Sequence, residues 1–442
     1  MSTLHGEYRR HDRTGIKTSV SLDLADSELS TKTRDVSVSG LSLRKPANFS
    51  VEPGKVVNLS FSNMPNINVP AKIVRVSDKQ VSLEFDHFRF STGDIEGIIN
   101  TSPWHQRLRV KLKRTFWKTT RYTATMMTNT IARTLLIKAI KPSFLFAVYG
   151  NEKDTSTYYS PAMSNFMPDI LIGGLIKNRN RRGLLVASKF YEQELVESPE
   201  KVNAYMHQLQ RSFPGINTIA LVGRLPNFVM KSGIEIEPPY VDGSMGTRYM
   251  IWDVACQMRG FAEYRNETVI AVLGGAGRIG NRVCEDLTRE FNTVLAFDPR
   301  YSHDEEINTP MGKIIKTSDV THLASCKLYI ALMHHGDVIR DFQHHIPTGA
   351  LVADDTHPCI SLEVREQMSG LGIKTLKIVL AHEDFSMWPR MPGWNNRAIP
   401  GCLVEALVLL EQEDTDVTDF DAFSKTALKI GFKGQLIKPL DE

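Results

Sequence analysis

The chain has 442 residues, of which 42% are hydrophobic and 23% charged, and its formal net charge is only +3. This length predicts two or three domains, and the composition excludes a mostly disordered, collagen-like or disulfide-scaffold protein. The near balance of charge argues against wholesale nucleic-acid binding. The sequence contains no run of about 18 apolar residues, so we expect no transmembrane helix. The polar start, MSTLHGEYRRHDR, lacks the apolar core of a signal peptide.

The cysteines favour a cytoplasmic protein with reduced thiols. Five of them lie in the C-terminal half without metal-type spacing: Cys256, Cys284, Cys326, Cys359 and Cys402. Because no export signal is recognised, we expect no disulfide framework. Neither CxxC nor HExxH occurs, so the sequence predicts no structural zinc site.

Residues 15–87 predict β structure. Segments such as KVVNLSFS and QVSLEF alternate apolar and polar residues, and turn residues separate these segments. Because no helical pattern occurs before Ser91, the pattern indicates a small antiparallel barrel, which we assign to a domain of residues 1–100.

A basic segment follows, over residues 101–142. From Thr101 to Gly150 there are ten Lys or Arg and no Asp or Glu, and RLRVKLKRTFWKTTRY is partly helical in pattern. Two interpretations stay open. The segment is either a solvated linker helix between two functional halves, or a surface that contacts a partner, an anionic lipid or a nucleotide.

From residue 143 onward, short apolar runs alternate with amphipathic helical stretches. TVIAVLGG, TVLAFD, KLYIALM and ALVADD are typical of buried strands, and RIGNRVCEDLTREF of a surface helix. This alternation predicts an α/β doubly wound parallel sheet. We assign residues 263–442 to a Rossmann-type domain and residues 143–262 to a preceding α/β segment for a substrate or partner.

Two short motifs lie at the start of the predicted barrel. They are R-x-x-x-R and D-x-S-x-x-G, formed by Arg9, Arg10, Arg13, Asp35, Ser37 and Gly40. The arginine fork can bind phosphate with two hydrogen bonds and can stack on a purine. An aspartate can accept from a guanine edge, a serine can donate, and a glycine lets the backbone pass close to a ligand.

These motifs, with VEPGKVVNLSF and AKIVRVSDKQVSLEF behind them, resemble the PilZ domain, a bacterial receptor module for cyclic di-GMP. The resemblance implies that the three arginines engage the phosphates and guanines of cyclic di-GMP, often bound as an intercalated dimer. It also implies that the D-x-S-x-x-G residues meet the ligand on the barrel surface. The alternative is a barrel that keeps the second motif for turn geometry and has lost the ligand.

The segment ETVIAVLGGAGRIGNRVCEDLTREFNTVLAFDPR combines a strand, a G-x-G-x-x-G turn, a helix and a second strand that ends in an acid. In this context the turn is typical of a dinucleotide site, with the pyrophosphate on the helix N-terminus. We expect the first glycine to allow the tight turn, the second to admit the pyrophosphate and the third to let the helix pack on the strand. The predicted cofactor contacts are Gly275, Gly277, Arg278, Ile279, Gly280, Asp298 and Arg300.

Asp298 favours NAD, because its carboxylate would accept from a ribose hydroxyl and repel a 2′-phosphate. Arg300, two residues later, would partly reverse that preference. NAD is therefore the predicted cofactor, with NADP left open. The alternative is a Rossmann domain that no longer binds a dinucleotide.

The candidate catalytic residues come from segments expected to end at the carboxyl edge of the sheet. They are His382 and His357, as proton donors for hydride transfer to a carbonyl-type substrate, and Cys359, as a nucleophile if a base lowers its pKa. Each has a structural alternative: a buried, satisfied histidine at His382, a turn at His357 and an inert thiol at Cys359.

A second resemblance covers the C-terminal part. VDGSMGTRYMIWDVACQMRG, TVIAVLGGAGRIGNRVCEDL and IPGCLVEALVLLE resemble the long-chain acyl-acyl-carrier-protein reductase family, which implies hydride chemistry. That family carries a nucleophilic cysteine directly after a histidine, in the segment corresponding to LAHEDF. Here the residue after His382 is Glu383. The acyl-enzyme route is then unsupported unless Cys359 substitutes.

Together these observations favour a cyclic di-GMP effector whose C-terminal domain is NAD(P)-binding and oxidoreductase-like. The alternative is a non-catalytic signalling protein whose degenerate reductase-like domain recruits a protein partner under cyclic di-GMP control. A homo-oligomer stays open, and no specific nucleic acid is expected.

Overall fold

The structure is a computed structural model that describes residues 17–24, 27–37, 40–47, 49–62, 64–85, 97–100, 102–150, 159, 161–388, 397–411 and 419–438. The chain divides into two compact units, Met1–Thr123 and Ala124–Glu442. In the described part of the chain, no helix combines the length and apolarity needed to cross a membrane.

The first unit contains a closed antiparallel barrel with the strand order β1-β2-β3-β6-β5-β4. Its strands are β1 Ser19–Leu24, β2 Ser27–Ser37, β3 Gly40–Arg44, β4 Val56–Phe61, β5 Met64–Val76 and β6 Gln80–Phe85. Burial alternates along β4 and β6, which places Leu59, Phe61 and Leu83 inside the barrel. The predicted small barrel is confirmed. Strand β2 was not predicted, because SELSTKTRDVS is mostly polar and shows no apolar alternation.

A helical segment at residues 97–100 and helix α1 (Trp104–Asn129) follow the barrel. Ile98, Ile99 and Val110 join the apolar core of the barrel. The amide of Lys17, where the chain enters β1, donates to Gln106 Oε1 at 3.1 Å. The start of α1 is therefore fastened to the barrel. A short helix, α2 (Arg133–Ile140), comes next.

The second unit begins with a six-stranded sheet in the order β11-β10-β7-β9-β8-β19. Its strands are β7 Phe144–Gly150, β8 Ile170–Asn178, β9 Arg181–Tyr191, β10 Ile219–Leu221, β11 Tyr240–Val241 and β19 Phe385–Trp388. The helices around it are α3 Pro161–Asn165, α4 Glu192–Glu197, α5 Pro199–Ser212 and α6 Leu225–Lys231. Because β19 comes from late in the chain, this sheet is tied to the one that follows.

The nine-stranded sheet has the order β14-β15-β13-β12-β16-β17-β18-β20, with β21 beside β18. Its strands are β12 Val269–Leu273, β13 Thr293–Phe297, β14 Glu305–Asn308, β15 Lys313–Thr317, β16 Leu328–Ala331, β17 Leu351–Asp354, β18 Lys374–Ala381, β20 Ala398–Ile399 and β21 Lys433–Ile437. The strands β15-β13-β12-β16-β17-β18 are parallel and follow the 3-2-1-4-5-6 order of a Rossmann sheet. The predicted doubly wound fold is confirmed.

The α-helices described in this part are α7 Ser244–Gly260, α8 Arg278–Leu287, α9 Leu362–Gly370, α10 Gly401–Glu411 and α11 Phe420–Ile430. Helices α7 and α10 approach closely through glycines. A Cβ on Gly246 would lie 2.3 Å from the Gly401 carbonyl oxygen, and a Cβ on Gly401 would lie 2.7 Å from Thr247 Cα. The VDGSMG and IPGC segments, far apart in sequence, are therefore packed against each other.

Candidate functional site

The D-x-S-x-x-G residues lie where β2 ends and β3 begins. The buried Ser37 hydroxyl donates to the Gly40 carbonyl at 2.9 Å, which closes the hairpin. A Cβ on Gly40 would lie 2.3 Å from the Leu83 carbonyl oxygen on β6, so only glycine fits there. Asp35 is half-buried and faces Ser42 in the strand register. Two of the three motif residues thus shape the backbone of the barrel.

The R-x-x-x-R motif, with Arg9, Arg10 and Arg13, lies outside the described residues. What the structure does place is Lys17, four residues after Arg13, with its amide on Gln106 of α1. At Lys17 the chain therefore enters the barrel beside the start of α1.

The glycine turn connects β12 to α8, and its positive φ falls on Gly274 rather than on Gly275. Gly274 has φ +95°, a left-handed conformation that favours glycine. Gly275 lies in this turn as predicted, and Gly274 beside it supplies the left-handed backbone. Gly275 is needed for close approach, because a Cβ there would lie 2.8 Å from Ala296 Cβ on β13.

Gly280 and Gly277 differ in the room around them. A Cβ on Gly280 would lie 2.2 Å from the Gly274 carbonyl oxygen, so glycine lets α8 start directly against the turn. Around Gly277 the nearest atom is 3.2 Å away and its backbone is extended. Ile279 packs against the core, and the exposed Arg278 forms an ion pair with Asp242. The first-turn amides of α8 remain the natural anion site.

Asp298 directly follows β13 and is almost fully covered, with 5% of its side chain exposed, whereas 65% of the Arg300 side chain is exposed. Arg300 donates from Nε (2.9 Å) and Nη2 (2.8 Å) to the two carboxylate oxygens, and the Ala276 amide donates at 3.1 Å. Burial alone would raise the pKa of Asp298, but these hydrogen bonds outweigh it and lower that pKa. The acid is therefore ionised and already paired with Arg300.

The carboxyl ends of β12, β16 and β17 meet beside this turn. The Leu332 amide donates to Leu273 (2.8 Å), the Asp355 amide to Ala331 (3.1 Å) and the Gly336 amide to Pro358 (2.9 Å). The loops of residues 333–336 and 354–359 therefore lie next to each other at this edge, where the segment of His357 and Cys359 was expected to end. The buried Asp354 carboxylate accepts from the Thr356 and Ile360 amides and the Thr356 hydroxyl, so it organises its own loop.

Asp355, His357 and Lys377 form an electrostatically coupled group at this edge. Burial raises the pKa of Asp355 to about 8, with Asp354 adding to the rise and Lys377 opposing it. His357 is exposed at its surface, and desolvation by the surrounding protein, with the Lys377 charge, lowers its pKa to about 4. At neutral pH the acid is protonated and the imidazole is neutral. Perturbed groups of this kind cluster at functional sites.

His382 is not part of this group, contrary to the expectation that its segment ends at the same edge. In the strand register, Asp354 at the end of β17 lies opposite Lys377 of β18, but β18 continues to Ala381. His382 therefore lies about 16 Å beyond Lys377 along the strand direction. Its Nδ1 accepts from the Asp384 amide and its Nε2 lies 3.1 Å from the Ile430 carbonyl oxygen. Both ring nitrogens are occupied by backbone, which is the arrangement of a structural histidine.

Cys359 is half-buried in the loop after β17. Sequence analysis did not single out Cys402 and Glu405 on α10 or Lys377 on β18. Burial raises the pKa of Cys402 to about 12, so this thiol is not a nucleophile at neutral pH. Burial, with the Asp242 charge, raises the pKa of Glu405 to about 7, and its carboxyl accepts from the Met245 amide at 2.8 Å.

Two further observations concern a polar hollow and possible metal ligands. Glu383 and Asp384 line a hollow of about 340 Å³ with Lys177, Arg179 and Arg397. Among the described residues, no group of three His, Cys, Asp or Glu is placed to hold a metal ion.

Residues 7–98 match the PilZ domain family, so the chain carries a PilZ domain, as its motifs predict. No curated protein is similar enough to the chain to count as a relative. The long-chain acyl-acyl-carrier-protein reductase family is not shown by these comparisons.

Three solved structures illustrate the similarity to the two units. The inhibitor of motility MotI/DgrA of Bacillus subtilis is 17% identical, over 21% of this chain and 48% of that chain, with a TM-score of 0.18. YcgR of Escherichia coli, in complex with c-di-GMP, is 17% identical over 26% of this chain and 49% of that chain, with a TM-score of 0.16. This chain thus spans about half the length of each. L-tryptophan dehydrogenase of Nostoc punctiforme is 10% identical over 65% of this chain and 79% of that chain, with a TM-score of 0.32.

Proposed function

We propose that this protein is a cyclic di-GMP effector in which the messenger, bound by the PilZ domain, regulates an NAD(P)-binding, oxidoreductase-like unit. One observation carries the proposal. A single chain holds both PilZ motifs and, at the centre of a 3-2-1-4-5-6 sheet, a glycine turn followed by the acid of a dinucleotide site.

Cyclic di-GMP binding rests on the motifs within a PilZ domain. The three N-terminal arginines would engage phosphates and guanines, and Asp35 would accept from a guanine edge. Ser37 and Gly40 contribute by holding the hairpin backbone close to β6. Calorimetric titration of the full chain with cyclic di-GMP tests this directly. We expect saturable heat, and no heat with cyclic di-AMP, which lacks the guanine edges; no heat with either would remove the messenger from the account.

The dinucleotide would lie across the carboxyl ends of β12 and β16, with its pyrophosphate at the start of α8 and its adenosine ribose at Asp298. The Asp298–Arg300 pair decides between NAD and NADP. For NAD, Arg300 must release the carboxylate to the ribose hydroxyls. For NADP, Arg300 can bind the 2′-phosphate while it neutralises the acid. Because its side chain is largely exposed, Arg300 has room for either arrangement.

Substituting Arg300 by alanine should shift the preference toward NAD. The change removes the partner of the 2′-phosphate and leaves an unpaired carboxylate, so NADPH should bind at least about tenfold more weakly relative to NADH, which corresponds to about 1.4 kcal/mol. The measurement is nicotinamide fluorescence with both cofactors. Arg282→Ala, an exposed arginine of α8 paired with Glu285, loses the same charge and should leave the ratio unchanged. If the ratio of NADPH to NADH affinity is unchanged in the Arg300 variant, Arg300 does not contact the 2′-phosphate.

A bound, reduced nicotinamide would supply a hydride to a carbonyl carbon, and the protein would have to supply the proton that the carbonyl oxygen takes up to give an alcohol. His382 is held by backbone on both nitrogens and His357 is neutral at pH 7. Asp355 is protonated at neutral pH and lies at the end of β17, beside the end of β16. We therefore assign the proton donor to Asp355. His357 would orient the substrate.

The raised pKa of Asp355 predicts a pH-dependent stability that needs no substrate to measure. Between its ordinary value of 3.8 and about 8, the native protein keeps a proton that the unfolded chain has released. The contribution of Asp355 to the free energy of unfolding therefore falls as pH rises through this window, whereas the lowered pKa of His357 acts in the opposite direction between about 4 and 6.5. In Asp355→Asn this fall should be smaller, as followed by urea unfolding between about pH 5 and 8. Glu363→Gln, an exposed carboxyl of α9, should behave as the parent; parallel curves for parent and Asp355→Asn would refute the assignment.

The second candidate is a signalling protein without catalysis. It is favoured by Glu383, which stands where the reductase family has its nucleophile, and by the locked ring of His382. Under this reading, dinucleotide binding persists or is lost, and the second unit recruits a protein partner. The oxidation of NADH or NADPH with a panel of aldehydes and ketones separates the two candidate functions. Only the oxidoreductase should oxidise the dinucleotide, and the non-catalytic signalling protein should not.

A further inference from the structure

Helix α1 presents a row of large apolar side chains to solvent. Trp104, Leu108, Leu112 and Phe116 are 69%, 49%, 61% and 64% exposed. Their spacing of four residues places them on one side of the helix, since each step advances only about 40° around the axis. Val110, which is buried in the barrel core, lies on the other side. The barrel therefore holds α1 with its apolar row turned outward.

The charged side chains of the same helix are all positive. Between Trp104 and Asn129 there are no Asp or Glu residues, and the Lys and Arg residues are Arg107, Arg109, Lys111, Lys113, Arg114, Lys118 and Arg121. At 100° per residue, most of these cations fall on the side opposite the centre of the apolar row or flank its edges. An exposed helix with an apolar stripe, aromatic side chains and a basic remainder is the pattern of helices that lie in a membrane interface.

We propose that α1 binds the surface of membranes that contain anionic lipid, with the apolar row in the boundary between headgroups and acyl chains and the cations on lipid phosphates. Charge complementarity selects this occupant. A second copy of the helix would bring cations against cations, with no acid on either. A nucleic acid would satisfy the cations and leave Leu112 and Phe116 in water. Lipid binding is an addition to the proposed effector function and does not depend on it.

The test is co-sedimentation of the full chain with phosphatidylcholine vesicles, with and without phosphatidylglycerol. We expect binding only with the anionic lipid, weakening as salt is raised. Leu112→Glu/Phe116→Glu should bind at least about tenfold more weakly, because two charges enter the interface. Val56→Glu/Val74→Glu adds the same two charges at barrel positions that are each 54% exposed and should bind as the parent. Urea unfolding of each variant verifies that it is folded.

Three outcomes would overturn the proposal. The parent chain fails to sediment with anionic vesicles at low salt, or both double variants bind equally well. Alternatively, the Leu112/Phe116 variant loses self-association in sedimentation velocity while the parent shows no lipid binding, which would assign the row to a second copy. Failure of cyclic di-GMP to bind would leave the lipid result unaffected, so the two proposals fail separately.

Discussion

Alanine substitution of Arg9 and Arg13 together should weaken cyclic di-GMP binding by at least about 100-fold. Each arginine is expected to make charge-assisted hydrogen bonds to the ligand, worth about 1.5–3 kcal/mol each, and a guanidinium stack adds to this. Two such losses correspond to about 3 kcal/mol or more, and about 1.4 kcal/mol is a factor of ten. Calorimetric titration of the full chain measures the change.

The control for this variant removes the same kind of charge elsewhere on the barrel. Arg44 is exposed at the far end of β3 from Gly40, so Arg44→Ala should bind cyclic di-GMP as the parent does. NADH binding should be retained in the Arg9/Arg13 variant, because the glycine turn belongs to the other unit. Undiminished cyclic di-GMP binding in the double variant would mean that the R-x-x-x-R motif is not the clamp.

Gly277→Ala should leave the fold intact and weaken dinucleotide binding by about 10- to 100-fold. The backbone of Gly277 is extended with φ −70°, and the nearest atom to a new Cβ is 3.2 Å away, so the free protein needs only a small adjustment. The added methyl occupies the space that the pyrophosphate needs at the start of α8. Steric overlap of this kind costs about 1–3 kcal/mol. NADH fluorescence measures the loss, and urea unfolding verifies the fold.

Substitutions of two further glycines serve as comparisons for Gly277→Ala. Gly280→Ala places a Cβ 2.2 Å from the Gly274 carbonyl oxygen, so this variant should lose stability as well as binding. Gly260→Ala, at the end of α7, meets no atom within 4 Å and should change neither. If Gly277→Ala binds NADH as tightly as Gly260→Ala, the pyrophosphate does not lie over this turn.

The features that local sequence encodes were predicted well. Alternating apolar residues identified the barrel, and the strand-turn-helix-strand pattern identified the centre of the Rossmann sheet, because both depend on neighbouring residues. Gly275 was expected to allow the tight turn, and the left-handed φ of that turn lies at the preceding Gly274. Two adjacent glycines permit either arrangement, and the choice depends on how closely Gly275 approaches Ala296 on another strand.

Features set by distant segments were not predictable from local patterns. Strand β18 runs past the sheet edge because β21, some fifty residues later, pairs with its last five residues, and this carries His382 away from the candidate site. Lys377 lies within the apolar run KTLKIVLA, so its sequence context gives no sign of a functional role. The strand register places it opposite Asp354. Glu405 is half-buried where α7 packs against α10 through glycines, a contact between segments far apart in the chain.

The central claim is that cyclic di-GMP and the dinucleotide are coupled through one chain. The most direct measurement is NADH fluorescence titration of the full chain, with and without saturating cyclic di-GMP. The account predicts two different dissociation constants and, by linkage, the same factor when cyclic di-GMP is titrated with and without NADH. Identical NADH affinities, with cyclic di-GMP shown to be bound in the same sample, would contradict that coupling. The two sites would then act independently.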